Sequence, residues 1–173
     1  MRTAIIFLSI SACFISCLYS RLPYDSKGLT YKGKFAFTGQ IKMDGYFYSE
    51  TQTGIQGEYF FEDGYYCTGG TLNLQNLMCD TIDQNVRKIP YAWGCFIIEN
   101  DTLKLQYFPG YGRDKYGKFM TGERWAKIED QGMTLRYFKK KDIDGKVTQI
   151  NEVYKFHQCN NKPGSLNVLM DKN

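Results

Sequence analysis

Apolar and polar side chains alternate along most of this chain with a period of two, the spacing of a strand with one buried face. In TLKLQYF (102–108), Leu103, Leu105 and Tyr107 share one face, while Lys104 and Gln106 share the other. TLRYFKK (134–140) alternates through its first half only. In VTQINEVYKF (147–156), Ile150, Tyr154 and Phe156 line one face, and Glu152 interrupts it. No segment shows a convincing 3.6-residue period.

Turn signals separate these runs. Asp63-Gly64 stands between aromatic-rich GEYFFE and YYC, a strong hairpin signal, and Asp144-Gly145 separates KKKDI from KVTQI. Glu99-Asn100-Asp101 and Asp130-Gln131-Gly132 join further pairs, and Asp44-Gly45 marks either a turn or a kink within one strand. The count is about eight to nine strands. The expected fold is all-β: an antiparallel up-and-down meander whose edges must be hidden, hence a small closed or partly open barrel. Residues 71–88 and 110–119 are less regular and are expected as longer connections at the barrel rims.

The N-terminus departs from this pattern. One positive charge, Arg2, precedes thirteen uncharged residues, AIIFLSISACFIS (4–16). That is the form of an export signal, and the run is shorter than the ~20 apolar residues of a transmembrane helix. It ends in Phe14-Ile15-Ser16-Cys17, which looks like the apolar-small-Cys box of a bacterial lipoprotein signal. Cys17 is the expected lipidation site and Cys13 the alternative. Two or three acyl chains, at about 0.8 kcal/mol per buried methylene, would hold the chain on a bilayer. The expected organisation is a signal peptide over 1–16, a lipidated cysteine with a polar tether over 17–30, and one barrel domain with a short C-terminal tail over 31–173.

Loss of Arg2 takes the formal charge from +4 to +3, and no basic stripe occurs, so nucleic acid is not indicated. Aromatics make up 16% of the chain, and their strand spacing suits core and cross-strand packing. Cys67, Cys79, Cys95 and Cys159 are an even set in an oxidising compartment, so one or two disulfides are expected, provisionally Cys67–Cys79 and Cys95–Cys159. No C-x-x-C pair occurs.

Catalytic signals are weak. The chain has one histidine, His157, two residues from Cys159; a metal pair or a Cys-His dyad there is disfavoured against an ordinary strand-end histidine. Beyond the tether, serine occurs only at Ser49 and Ser165, neither in a nucleophile elbow. Asp44, Glu58, Glu62 and Glu123 could supply paired carboxylates for glycoside chemistry, but no motif selects two of them. No catalytic residue, metal site or cofactor is assigned. Asn100-Asp101-Thr102 fits an N-glycosylation acceptor, and Asp80-Thr81-Ile82 and Asp101-Thr102-Leu103 fit a bacterial O-glycosylation pattern.

Several stretches in order, GKFAFTG with MDGYFY (33–48), YFFEDGYY (59–66), WGCFIIENDTLKLQYF (93–108) and YKFHQCNNKPGSLN (154–167), resemble a group of small Bacteroidetes-type lipoproteins of uncharacterised function. The resemblance implies a lipocalin-like barrel on a lipid anchor and implies no reaction. KPGS stands here where that group has KPDS, and the G-x-W start of true lipocalins is absent. No acidic cluster follows Cys17, which favours the periplasmic face of the outer membrane over surface export. The expected function is a membrane-anchored, non-enzymatic binding or structural module for a protein, glycan or apolar ligand. The alternatives are a cell-envelope hydrolase using two carboxylates and a secreted, unanchored lipocalin-like ligand carrier.

Overall fold

The computed structural model describes residues 28–51, 54–72, 92–109, 120–159 and 162. Eight antiparallel strands follow one another around a closed barrel: β1 (Gly45–Thr51), β2 (Gly54–Phe60), β3 (Tyr65–Leu72), β4 (Trp93–Glu99), β5 (Thr102–Tyr107), β6 (Gly122–Glu129), β7 (Thr134–Lys141) and β8 (Val147–Gln158). The meander and the closure expected from the alternation are both present. Residues 28–44 form no strand, and Gly45 opens β1, so Asp44-Gly45 is neither a turn between strands nor a kink within one.

The tight turns sit where the sequence signals them, at one end of the barrel for β2–β3, β4–β5 and β6–β7. Gly64, Asn100, Asp101, Asp130, Gln131 and Gly132 all have positive φ, the left-handed conformation that Gly, Asn and Asp tolerate best. Residues 28–44 cross this end and close it. The Phe35 ring lies 4.4 Å from that of Phe96, Ile41 is buried, and the Gln40 amide donates to Asp101 at 3.1 Å. Of the segments expected as long connections, Thr71 and Leu72 belong to β3, and the rest of 71–88 and all of 110–119 lie outside the described residues.

Two apolar layers follow from the pleat. Phe47, Phe60, Phe96, Leu103, Leu105, Ala126 and Leu135 point inward and fill the barrel toward the closed end. Outside β1–β4, Tyr46, Tyr59, Phe61, Tyr65, Cys67, Trp93 and Cys95 form a second cluster with Leu29, Phe108 and Cys159. Buried residues therefore occupy both faces here, which is why YFF, YYC and WGCF read as continuous apolar runs. Leu29 and Thr30, within the stretch expected as tether, are part of this packing: Leu29 is buried, and the Thr30 hydroxyl and the Tyr31 amide both approach Gln106 Oε1 at 3.3 Å.

Neither expected pairing is formed, although Cys159 is disulfide-bonded. Cys67 and Cys95 are buried reduced thiols, on neighbouring strands in the outer cluster. Burial pushes the Cys95 thiol up to about 12. Cys159 follows β8, its amide bonding the Asp44 carbonyl beside β1, and β8 lies four strands around the barrel from Cys95 on β4. Strands spaced about 4.8 Å apart put that separation beyond disulfide reach. Cys79 lies outside the described residues, as do Cys13 and Cys17.

Closure depends on a short seam. β1 and β8 pair only from Gly45↔Gln158 to Tyr48↔Lys155. At Gly45 an added Cβ would lie 2.0 Å from the His157 carbonyl oxygen and 2.9 Å from Gln158 Cα. Gly45→Ala must push β8 backbone away, so a loss of about 3 kcal/mol is expected, at the upper end of ordinary overpacking. Urea unfolding tests this; a loss below ~0.5 kcal/mol would show that the seam yields freely.

Candidate functional site

Beyond the apolar layer, away from the end closed by residues 28–44, the interior becomes polar. Glu58 points inward from β2, paired across the sheet with inward Phe47, and is only 2% exposed. Arg124 reaches it from β6, with Nη1 2.7 Å from Glu58 Oε1. The Tyr137 hydroxyl donates to the other Glu58 oxygen. The guanidinium lies over the Tyr137 ring, 3.8 Å from its centroid, and its Nη2 meets Glu152 Oε2 at 2.6 Å. Tyr154, edge-on to Tyr137 at 5.1 Å, donates from its hydroxyl to Gln56 at 3.0 Å.

Burial pushes the Glu58 carboxyl up, and Arg124 and the Tyr137 hydrogen bond pull it back without cancelling the shift. Burial also raises the Tyr66 and Tyr137 hydroxyls well above their ordinary value, with Glu58 adding to both, so they remain neutral donors. The charges here are desolvated and paired, the condition under which buried ions persist.

A cavity of about 300 Å³ opens above this network, lined by Gln56, Tyr66, Thr68, Ala92, Tyr107, Arg124, Lys140 and Glu152. Lys140 joins it because a β-bulge between Tyr137 and Lys139 shifts the alternation of β7. Lys139 then packs outward, 4.9 Å from the Trp125 ring. That bulge explains why the sequence pattern of 134–140 fails in its second half. A second recess of about 560 Å³ lies where β1 and β8 part beyond their seam, lined among others by Ser49, Thr51, Asn151 and Val153. Both spaces include Gln56 and Glu152, so the interior cavity and the split wall meet at Glu152.

The carboxylates singled out from sequence do not pair with one another. Only Glu58 enters the barrel. Asp44 precedes β1 at the closed end, and Glu62 is exposed in the β2–β3 turn. Glu123 faces outward, accepting from the Tyr31 hydroxyl at 3.1 Å. The true companion of Glu58 is Glu152, whose break in an apolar strand face was the available signal. Arg124 was missed, although in GERWAKIE it alternates with Ala126 and Ile128.

His157 points out of the barrel, its ring 5.1 Å from that of Tyr46, while Cys159 is buried. Among the described residues no group of three His, Cys, Asp or Glu side chains could hold a metal ion. Ser49 borders the split between β1 and β8; Ser165 and Asp80 lie outside the described residues, and Asn100-Asp101 forms an exposed tight turn. Lys162, in the KPGS element, sits at the closed end, donating to the Met43 and Phe60 carbonyls 4.5 Å from the Phe61 ring. Burial lowers it to about 8. Comparison with protein-family models, with curated proteins and with solved structures finds no match to this chain.

Proposed function

We propose that this protein is a cell-envelope lipoprotein, lipidated at Cys17 and held on the periplasmic face of the outer membrane, that acts as a non-enzymatic binding module. The polar end of its barrel interior is the binding surface. The observation that carries this reading is the cavity itself: one end of the barrel is filled and closed by residues 28–44, while the other keeps a charged, tyrosine-lined recess. Small-ligand sites combine such apolar walls with a few placed polar groups.

The hydrolase alternative fits less well. Glycoside chemistry needs two carboxyl groups about 5–10 Å apart with a substrate oxygen between them. Here Glu58 and Glu152 are held by one guanidinium, and Glu58 is buried behind it. An exported chain meets an oxidising compartment; with Cys67 and Cys95 reduced, Cys79 and Cys159 are the remaining barrel-domain cysteines for a disulfide.

The anchor is tested by the intact mass of protein purified from membranes, beside a Cys17→Ala variant. The expected mass is that of residues 17–173 plus a diacylglyceryl and one further acyl chain, lost in the variant. An unlipidated soluble protein would overturn the anchored reading and favour a secreted carrier.

A further inference from the structure

We infer that the polar cavity takes a small carboxylate, and that Glu152 occupies its place on Arg124 until it arrives. This inference rests on the reading that the polar end of the barrel interior is the binding surface.

The two carboxylates on Arg124 are not equivalent. Glu58 holds the inner nitrogen from a position 2% exposed, fixed by Tyr137, and cannot leave without stranding a buried charge. Glu152 holds the outer nitrogen with a side chain 46% exposed. It borders both the cavity and the recess between β1 and β8, so rotation about its side-chain bonds moves its carboxylate out of one space into the other. The solvated recess makes that move inexpensive. What remains facing the cavity is Nη2, held in place by Glu58 on Nη1 and by the Tyr137 ring beneath, a charged donor for a carboxylate oxygen.

Lys140 supplies a second cation to the same wall. Its present partner is Asp142 at 3.0 Å, and both side chains are 42% exposed, so this pair is weak and readily exchanged. With Glu152 turned away, Arg124 and Lys140 line the cavity, and among the described residues the nearest buried negative charge, Glu58, lies behind Arg124. Tyr66 and Tyr107 give the apolar sides. The volume, about 300 Å³, is at the lower limit of small-molecule pockets and limits the ligand to roughly the size of one sugar or amino acid.

A ligand of the opposite charge makes the opposite demand. An amine would use Glu152 as its partner, so removing that carboxylate would weaken it. This difference gives the test. D-galacturonate, L-lactate and benzoate, each beside its methyl ester, are titrated by calorimetry into the wild-type barrel and into Glu152→Gln and Lys140→Met variants, with thermal midpoints checking that each variant is folded. At least one carboxylate is expected to bind, its ester at least tenfold more weakly. Glu152→Gln should tighten the carboxylate about tenfold, equal to about 1.4 kcal/mol, and leave the ester unchanged. Lys140→Met should weaken it about fivefold, with the difference shrinking at high salt. Weaker carboxylate binding in Glu152→Gln overturns the inference, as does equal binding of acid and ester or no binding of any acid to Glu152→Gln. If the esters alone bind in the cavity, the carboxylate assignment falls while the binding module stands. If the protein is anchored yet cavity variants change no binding, the polar end itself is the wrong surface.

Discussion

Arg124→Met is expected to destabilise the barrel by about 3–5 kcal/mol, the usual cost of leaving one member of a buried ion pair without its partner. Glu58, 2% exposed, would keep only the Tyr137 hydrogen bond, and Glu152 would return to solvent. The loss should depend on pH with a defined sign. Burial already raises the Glu58 carboxyl, and removing Arg124 removes the largest opposing influence. A carboxyl whose folded pKa lies above its unfolded value favours the folded state below the unfolded pKa, and that advantage is lost as pH rises through the folded pKa. Arg124→Met should therefore be closest to wild type in mild acid and furthest from it at pH 8.

Glu58→Leu placed on top of Arg124→Met should recover part of the loss, because two apolar groups in a buried site cost less than one orphaned charge. Urea unfolding of the wild type, both single variants and the double variant at pH 5 and pH 8 measures all of this. An Arg124→Met barrel within about 1 kcal/mol of wild type at pH 8 would show that water reaches Glu58 and that the network contributes little.

The second large effect is alkaline unfolding. Burial raises the hydroxyls of Tyr46, Tyr59, Tyr65 and Tyr154 from 10.0 to about 12, and the Cys95 thiol from 9.0 to about 12. Each group loses its proton earlier in the unfolded chain than in the barrel. Above about pH 9 the unfolded state therefore binds fewer protons, and stability falls with rising pH. Each fully buried group adds a slope of at most about 1.4 kcal/mol per pH unit, less where the hydroxyl touches solvent. Lys162 works in the other direction. Its folded value is lowered to about 8, so its burial penalty is relieved between about pH 8 and its ordinary value of 10.5.

One lysine opposes these five acids and the still higher-lying hydroxyls of Tyr66 and Tyr137. Stability should be level or rise slightly from pH 7 to 9 and then drop steeply between pH 10 and 12. The Tyr59→Phe variant should show a shallower drop, since it has one fewer hydroxyl to titrate. A urea midpoint that stays constant to pH 12 in the wild type would mean that these side chains ionise in place, without unfolding.

The architecture was legible in the sequence because period-two alternation and turn chemistry are local properties. TLKLQYF announces β5 by itself, and Asp63-Gly64 needs no distant contact to reverse the chain. Even the interruption by Glu152 was visible. Its meaning was not, since it depends on Arg124, 28 positions earlier, which shares the barrel interior only because β6, β7 and β8 lie side by side. Lys140 was hidden by a bulge that no alternation rule anticipates. The cysteines were misread for a related reason. Their even number suggested the wrong pairs: strand order puts Cys95 four strands from the end of β8 that carries Cys159, and it packs Cys67 and Cys95 as hydrophobes in the outer aromatic layer.

The sequence by itself determined an all-β meander and its tight turns, both set by short-range sterics and by the spacing of apolar side chains. Only the tertiary structure decided that the meander closes on a four-pair seam, that residues 28–44 stop one end, and that Glu58, Arg124 and Glu152 meet at the other. Register and closure bring together residues far apart in the chain. A buried charge finds its partner through that geometry, and nothing in its neighbouring residues names the partner in advance.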